Sequence, residues 1–186
     1  MKKTRHNILI ACILIISILI WIWLLQTYGA ETIVDYIGAE NGYLVIFLVA
    51  LFGGVSSFTG VTYVATIITL ASAGLNPLGL ALASGVGVSF GDTAYYYIGK
   101  YGLRELASTH FESHLEKFTH WLQTKPKAIL FFGVYVYTSF SPFPNDVLAI
   151  ALGLSRQSLK VTLPALVLGN ITFTLLLATL GRNLGL

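Results

Sequence analysis

Two aspartates stand in otherwise apolar sequence, and each could do chemistry. Asp146 ends the run Ser141-Pro142-Phe143-Pro144-Asn145-Asp146, a break between the apolar segments 128–140 and 147–154. A charge held at membrane depth is costly and usually faces a partner or a water-filled cavity. Irregular backbone at that depth must itself be buried in protein or line such a cavity. Asp146, Asn145, Pro142 and Pro144 are therefore candidates for a substrate, cation or proton pathway. Asn145 and Asp146 equally suit the cap of the helix that follows, where a side-chain oxygen accepts from free amides. The two readings are compatible.

Asp92 follows Gly91 near the end of the apolar segment 78–98. It can pair with Lys100 or Arg156, or take up protons. Asn170 holds the comparable place 78 positions later, where it can line a pathway or bridge two helices. Thr59 and Thr62, with Ser57, are polar enough to line a pathway, although hydroxyls also bond back within helices. Arg156 and Lys160 follow the second break and can hold a lipid phosphate at the membrane surface, or serve only as positive anchors. His110 and His114 lie one turn apart with Glu112 between them, but an amphipathic surface explains them without a metal. Cys12, the one cysteine, reads as a small apolar filler. No metal, cofactor or nucleic acid is implied.

The elements that must position these residues are helical and apolar. The chain is 55% hydrophobic and 10% charged, against about 25% charged residues in soluble domains. Too few polar residues remain to cover a soluble surface, so the chain is a multi-spanning membrane protein. Ile8 to Leu25 carries no charge over 18 residues, enough to cross a hydrocarbon core of about 30 Å. Trp21 and Trp23 suit an aromatic belt at its end. Basic residues precede this helix and acidic Glu31, Asp35 and Glu40 follow it. The positive-inside rule then puts the N-terminus in the cytoplasm and the loop outside, and the expected location is the plasma membrane.

Tyr43–Val55 and Val61–Ala73 are apolar arms of 13 residues each around Ser56-Ser57-Phe58-Thr59-Gly60. At 1.5 Å per residue each reaches only about 20 Å, which suggests a re-entrant hairpin rather than two spans. One long helix through the region is the competing reading. Asn76-Pro77 marks a turn, and 78–98 reads as a full span. Its small residues Ala83, Gly87 and Gly91, and Ala81, Gly85 and Ser89, recur at four-residue spacing and let other backbones approach. Residues 99–127 are polar, with apolar positions at helical spacing, and read as an amphipathic segment at the cytoplasmic surface. The pattern then repeats: arms 128–140 and 147–154, a polar turn, and a span at 162–180.

Ile98-Gly99-Lys100 matches Leu180-Gly181-Arg182, and Ala73-Gly74-Leu75 matches Leu152-Gly153-Leu154. The fold class expected is an all-α membrane protein. It consists of an N-terminal helix within 1–30 and a membrane domain at 43–181, built as an inverted repeat of re-entrant hairpin plus transmembrane helix. Discontinuous helices in inverted repeats are a transporter signature, with the site near the midplane.

Gly91-Asp92-Thr93-Ala94-Tyr95-Tyr96-Tyr97-Ile98-Gly99-Lys100-Tyr101-Gly102 resembles the G-D-x-x-x-Y-x-I-G-[RK]-x-G segment of the DedA/VTT-domain (SNARE-associated Golgi protein-like) membrane proteins. Ser141 to Asp146, followed by Ala151-Leu152-Gly153, resembles the proline-bearing re-entrant tip of that family. The resemblance implies two facing re-entrant hairpins and a lipid flippase or scramblase. The lipid would be a phospholipid or undecaprenyl phosphate, coupled to a proton or sodium gradient. It also admits a homo-oligomer.

The chain departs from the pattern at both tips. The first carries neither the acid nor the proline of many members, and the second lacks their arginines. Two other functions compete. One is a non-catalytic membrane scaffold bound through the amphipathic segment. The other is an intramembrane aspartyl enzyme using Asp92 and Asp146, although no GxGD motif is present.

Overall fold

The computed structural model describes residues 41–53, 60–102, 120–141 and 145–184, with isolated positions between Trp23 and Gly38. Among the described residues the chain is helical, without strands. The helices are α1 (Gly42–Gly53), α2 (Gly60–Ser72), α3 (Pro77–Tyr97), α4 (Lys127–Phe140), α5 (Asn145–Leu154) and α6 (Leu159–Leu184). A π-helical turn, Ile98–Gly102, extends α3. The expected arms and spans therefore match helices to within a few residues. Nearly all of the expected N-terminal span 8–25, residues 54–59 and 142–144 of the two breaks, and most of the segment 99–127 lie outside the described residues.

Local signals set the ends. Asn76 caps α3, its Oδ1 accepting from the Leu78 amide at 2.8 Å, with Pro77 in the first position where no amide is needed. Two residues after α2, Gly74 closes it: its φ of 94° lets the Leu75 amide turn back to the Leu70 carbonyl at 3.2 Å. α4 stops at Ser141, which is extended, as a residue before proline must be.

Small residues set the packing. A Cβ on Gly87 would strike the Phe47 carbonyl and Ala50 of α1, and one on Gly85 would strike the Ile171 backbone of α6. The spacing of small residues on α3 thus serves two neighbours on two faces. A Cβ on Gly99 would meet the Ile150 carbonyl of α5, and one on Gly153 would meet the Tyr96 carbonyl.

Directions follow from these contacts. Gly42 at the start of α1 lies beside Leu70 and Leu75 at the end of α2, so these two run in opposite senses. Gly85 beside Ile171 and Asp92 beside Asn170 accompany Ser84 beside Thr174, so α3 and α6 are antiparallel. Gln123, just before α4, donates to the Ser155 carbonyl just before α6, and Thr138 lies beside Gly169, so α4 and α6 run together.

Two apolar clusters result. One joins α1 and α2 to the first half of α3 and to Ala178; the other joins α4 and α5 to Tyr96, Leu122 and the first half of α6. The burial of Leu122 shows the end of the polar segment packed onto the second cluster.

Among the described residues, Leu159–Asn183 is the one helix both long and apolar enough, by length and composition, to cross a membrane. α3 has the length, 21 residues, but spends much of its composition on glycine, serine and Asp92. Those residues face α1, α5 and α6, which is why its hydropathy is lower than a lipid-facing helix would need.

Candidate functional site

The polar side chains buried between α3 and α6 form one connected network. Asn170, in the middle of α6, is 3% exposed. Its Nδ2 donates to Asp92 Oδ2 at 2.8 Å and to Ser89 Oγ at 3.2 Å. Its Oδ1 accepts from Asn145 Nδ2 at 2.8 Å. One amide thus ties the two long helices to the first residue of α5. Asp92 is 1% exposed, so burying it without such a donor would be costly.

The network continues toward α2. Thr174 Oγ1 donates to the Asn170 carbonyl at 2.9 Å and accepts from Ser84 Oγ at 3.1 Å. The Tyr63 hydroxyl meets Thr174 Oγ1 at 2.7 Å. Ser89 donates back to the Gly85 carbonyl at 2.6 Å. Side chains from α2, α3, α5 and α6 therefore share one chain of hydrogen bonds through the protein interior.

Asp146 lies beside this network but outside its bonds. It is partly buried, and its Oδ1 accepts from the Val147 amide at 2.9 Å within the first turn of α5. Ser139, 1% exposed on α4, has a hydroxyl without a hydrogen-bond partner.

The structure brings together three of the residues singled out from sequence, Asp92, Asn145 and Asn170, with Asp146 adjacent. It keeps Arg156 and Lys160 apart from them: both are exposed at the opposite end of α5 and the start of α6. Lys160 and Asn170 are ten residues apart, about 15 Å along the helix. Pro142, Pro144 and Thr59 lie outside the described residues. Thr62 falls in the first turn of α2, and its side chain is likewise not described. No pairing of Asp92 with Lys100 or Arg156 occurs; Asn170 takes that place.

Tyr63, Ser84 and Thr174 were not legible as site residues. Tyr63 reads as one more aromatic in an apolar arm, and isolated hydroxyls in spans are ordinary. The signal available was spacing: Asn170 and Thr174 lie four apart, on one face of α6. Among the described residues no group of three His, Cys, Asp or Glu side chains could hold a metal ion. His110, Glu112 and His114 lie outside them.

A family model described as the VTT domain matches residues 62–183, about two-thirds of the chain and every member of this network. No curated protein matches, and no solved structure does.

Proposed function

The chain belongs to the VTT-domain family, the DedA and SNARE-associated Golgi protein-like group of membrane-associated proteins, and on that premise we propose that it moves a lipid across the bilayer between two re-entrant hairpins. The first hairpin is α1–α2 and the second is α4–α5. Their helices have 12, 13, 14 and 10 residues, too short for a hydrocarbon core of about 30 Å. α3 and α6 are the crossing helices. The protein lies in the plasma membrane as a multi-pass protein, with its N-terminus and the 99–127 segment in the cytoplasm.

Paired contacts support an inverted repeat. Gly87 packs on the Phe47 carbonyl and Ala50; 82 positions later Gly169 packs on the Tyr135 carbonyl and Thr138. Gly99 packs on Ile150 of the second hairpin, and Gly181, again 82 later, packs on Ile68 of the first. Each crossing helix thus leans on its own hairpin through one glycine and on the other hairpin through a second. The same shift of 82 relates Gly74 to Arg156 at the two hairpin exits. It is preferred here to the shift of 79 that pairs Ala73-Gly74-Leu75 with Leu152-Gly153-Leu154.

The observation that carries the proposal is the hydrogen-bonded set Asn145–Asn170–Asp92. In inverted-repeat transporters the site lies at mid-depth, where broken helices meet. A headgroup crossing hydrocarbon must exchange its hydration for protein hydrogen bonds, because an unpaired polar group there is expensive. The network offers such groups across the interior, and partly buried Asp146 stands at its edge. The acyl chains stay outside, along exposed apolar side chains such as Phe132, Val136 and Phe140. The lipid is a phospholipid or a polyprenyl phosphate, and Asp92 and Asp146 are the groups through which a proton or sodium gradient would act.

The hydrogen bonding weighs against an aspartyl enzyme. An aspartyl dyad shares one proton between adjacent carboxyls. Here Asp92 bonds Asn170 while Asp146 bonds its own following amide. The test is transbilayer movement of labelled lipids in proteoliposomes, with and without a pH gradient. Movement by the wild type that is lost in Asp92→Asn and Asp146→Asn supports the proposal; full activity in Asp146→Asn removes that residue from the mechanism.

A further inference from the structure

Arg156 is the one non-glycine described residue with a positive φ, 52°. It occupies the turn that closes α5. Its amide donates to the Gly153 carbonyl at 3.0 Å and the Gln157 amide donates to the Leu152 carbonyl at 3.1 Å. This is the helix ending that α2 makes with Gly74 at φ 94°, where Leu75 turns back to Leu70. Glycine is the ordinary residue there, because a Cβ is disfavoured in the left-handed region.

Two other elements fix the strained turn. The Ser155 carbonyl on one side accepts from Gln123 Nε2 at 3.1 Å. The Gln157 carbonyl on the other accepts from the Tyr96 hydroxyl at 2.6 Å. Strain of this kind persists where the surroundings over-determine it. The backbone needs only a residue that tolerates the conformation, and an arginine does so at a cost that glycine would avoid.

The side chain is exposed and makes no ion pair among the described residues, and Lys160 stands exposed four residues on. Lys100, whose amide lies against Gly153, and Lys125, two residues after the Gln123 that bonds Ser155, are both basic. Lys125 already lies over the Trp121 ring, 4.7 Å from its centroid, and Lys100 over Tyr96 and Tyr101. Arg156 and Lys160, four residues apart at the exit of α5, are exposed and have neither an ion pair nor a ring contact among the described residues, so both are open to an anion. The site lies about 15 Å along α6 from Asn170, at the level where a leaflet would place its phosphates.

We propose that Arg156, with Lys160, forms a subsite for the phosphate of an anionic lipid at the exit of the second hairpin. The guanidinium fork takes two phosphate oxygens, and the pinned turn holds it in place. The inference rests on the membrane reading above but not on transport, since the subsite could bind lipid in a protein that moves none.

The experiment measures binding to the reconstituted full chain. Wild type, Arg156→Gly, Arg156→Lys and Lys160→Ala are compared in vesicles of phosphatidylcholine with and without phosphatidylglycerol. The readouts are retained lipid and melting temperature. Wild type should retain phosphatidylglycerol in preference. Arg156→Gly should lose about tenfold of that preference, the fold-change expected for one charge-assisted hydrogen bond, with a melting temperature equal or higher in phosphatidylcholine alone. Arg156→Lys should recover only part. Should Arg156→Gly not fold, Arg156→Asn, whose side chain tolerates the left-handed region, removes the charge instead. Undiminished preference in the charge-free variant overturns the proposal. Equal stabilisation by inorganic phosphate without anionic lipid would assign the site to a free anion and overturn it as well. Failure of lipid transport in a wild type that still shows the preference would sink the transport reading and leave this one standing.

Discussion

Asn170 and Asp92 are joined across the α3–α6 interface by a 2.8 Å hydrogen bond, and both side chains are buried. The same Asn170 side chain accepts from Asn145, so one amide couples an ionisable residue of α3 to the first residue of α5. Replacing Asn170 with leucine removes the donor and leaves the carboxyl buried alone. The expected destabilisation is about 2–3 kcal/mol, the cost of an unsatisfied buried polar group at the upper end because it is ionisable. Reversible denaturation in detergent measures it. A double-mutant cycle between Asn170→Leu and Asp92→Leu should show coupling of about 1 kcal/mol or more.

Tyr63 makes a milder case. Its hydroxyl meets Thr174 and Ser84, but Ser84 also donates directly to Thr174 at 3.1 Å. Removing the hydroxyl in Tyr63→Phe leaves that second bond in place. The loss should stay near 0.6 kcal/mol, the average for side-chain hydrogen bonds between membrane helices, and the same denaturation assay should detect little change. A loss as large as that of Asn170→Leu would mean the hydroxyl chain acts as one unit with the amide network.

Gly153 and Gly133 offer a matched pair. A Cβ on Gly153 would meet the Tyr96 carbonyl and the Lys100 amide, both backbone; around Gly133 of α4 there is open space. Gly153→Ala must push α5 away from α3 and should destabilise clearly. Gly133→Ala should be neutral or stabilising by about 0.5–1 kcal/mol, from helix propensity alone. Melting temperatures of the two variants check this. Similar values would mean α5 is not held against α3 as described.

Accessibility tests the hairpins. In a Cys12→Ala background, single cysteines at Ala73, Asn76, Lys127 and Arg156 can be labelled with a membrane-impermeant reagent. If each hairpin returns to its own face, Ala73→Cys and Asn76→Cys react from one side, and Lys127→Cys and Arg156→Cys from the other. Reaction of all four from one side contradicts the inverted arrangement.

Much of the fold was legible because breaks in apolar sequence are physical events. Asn76-Pro77 supplies both a cap and a residue without an amide, and the structure starts α3 there. Ser141 before Pro142 had to be extended, and α4 ends on it. Asp92 and Asn170 stood out because a polar group in an apolar helix needs a partner. That they partner each other was not legible, since pairing depends on which faces of α3 and α6 meet, and glycine spacing leaves two faces open. The sequence offers Arg156 as a holder of a lipid phosphate or as a positive anchor; nothing in its neighbours' types foretells its positive φ, because that position ordinarily belongs to glycine. Tyr63 was hidden by its own ring, which buries as an apolar residue would while its hydroxyl bonds Thr174.

The most direct measurement is lipid movement by the purified protein in vesicles, resolved by headgroup and run with and without a pH gradient. Wild type should exchange labelled lipid between leaflets well above protein-free vesicles. Asp92→Asn, whose side-chain oxygen can still accept from Asn170, should slow exchange by roughly tenfold or more, the effect of about 1.4 kcal/mol on the barrier. Exchange no faster than in protein-free vesicles, across phospholipids and polyprenyl phosphates and under either gradient, would contradict lipid transport.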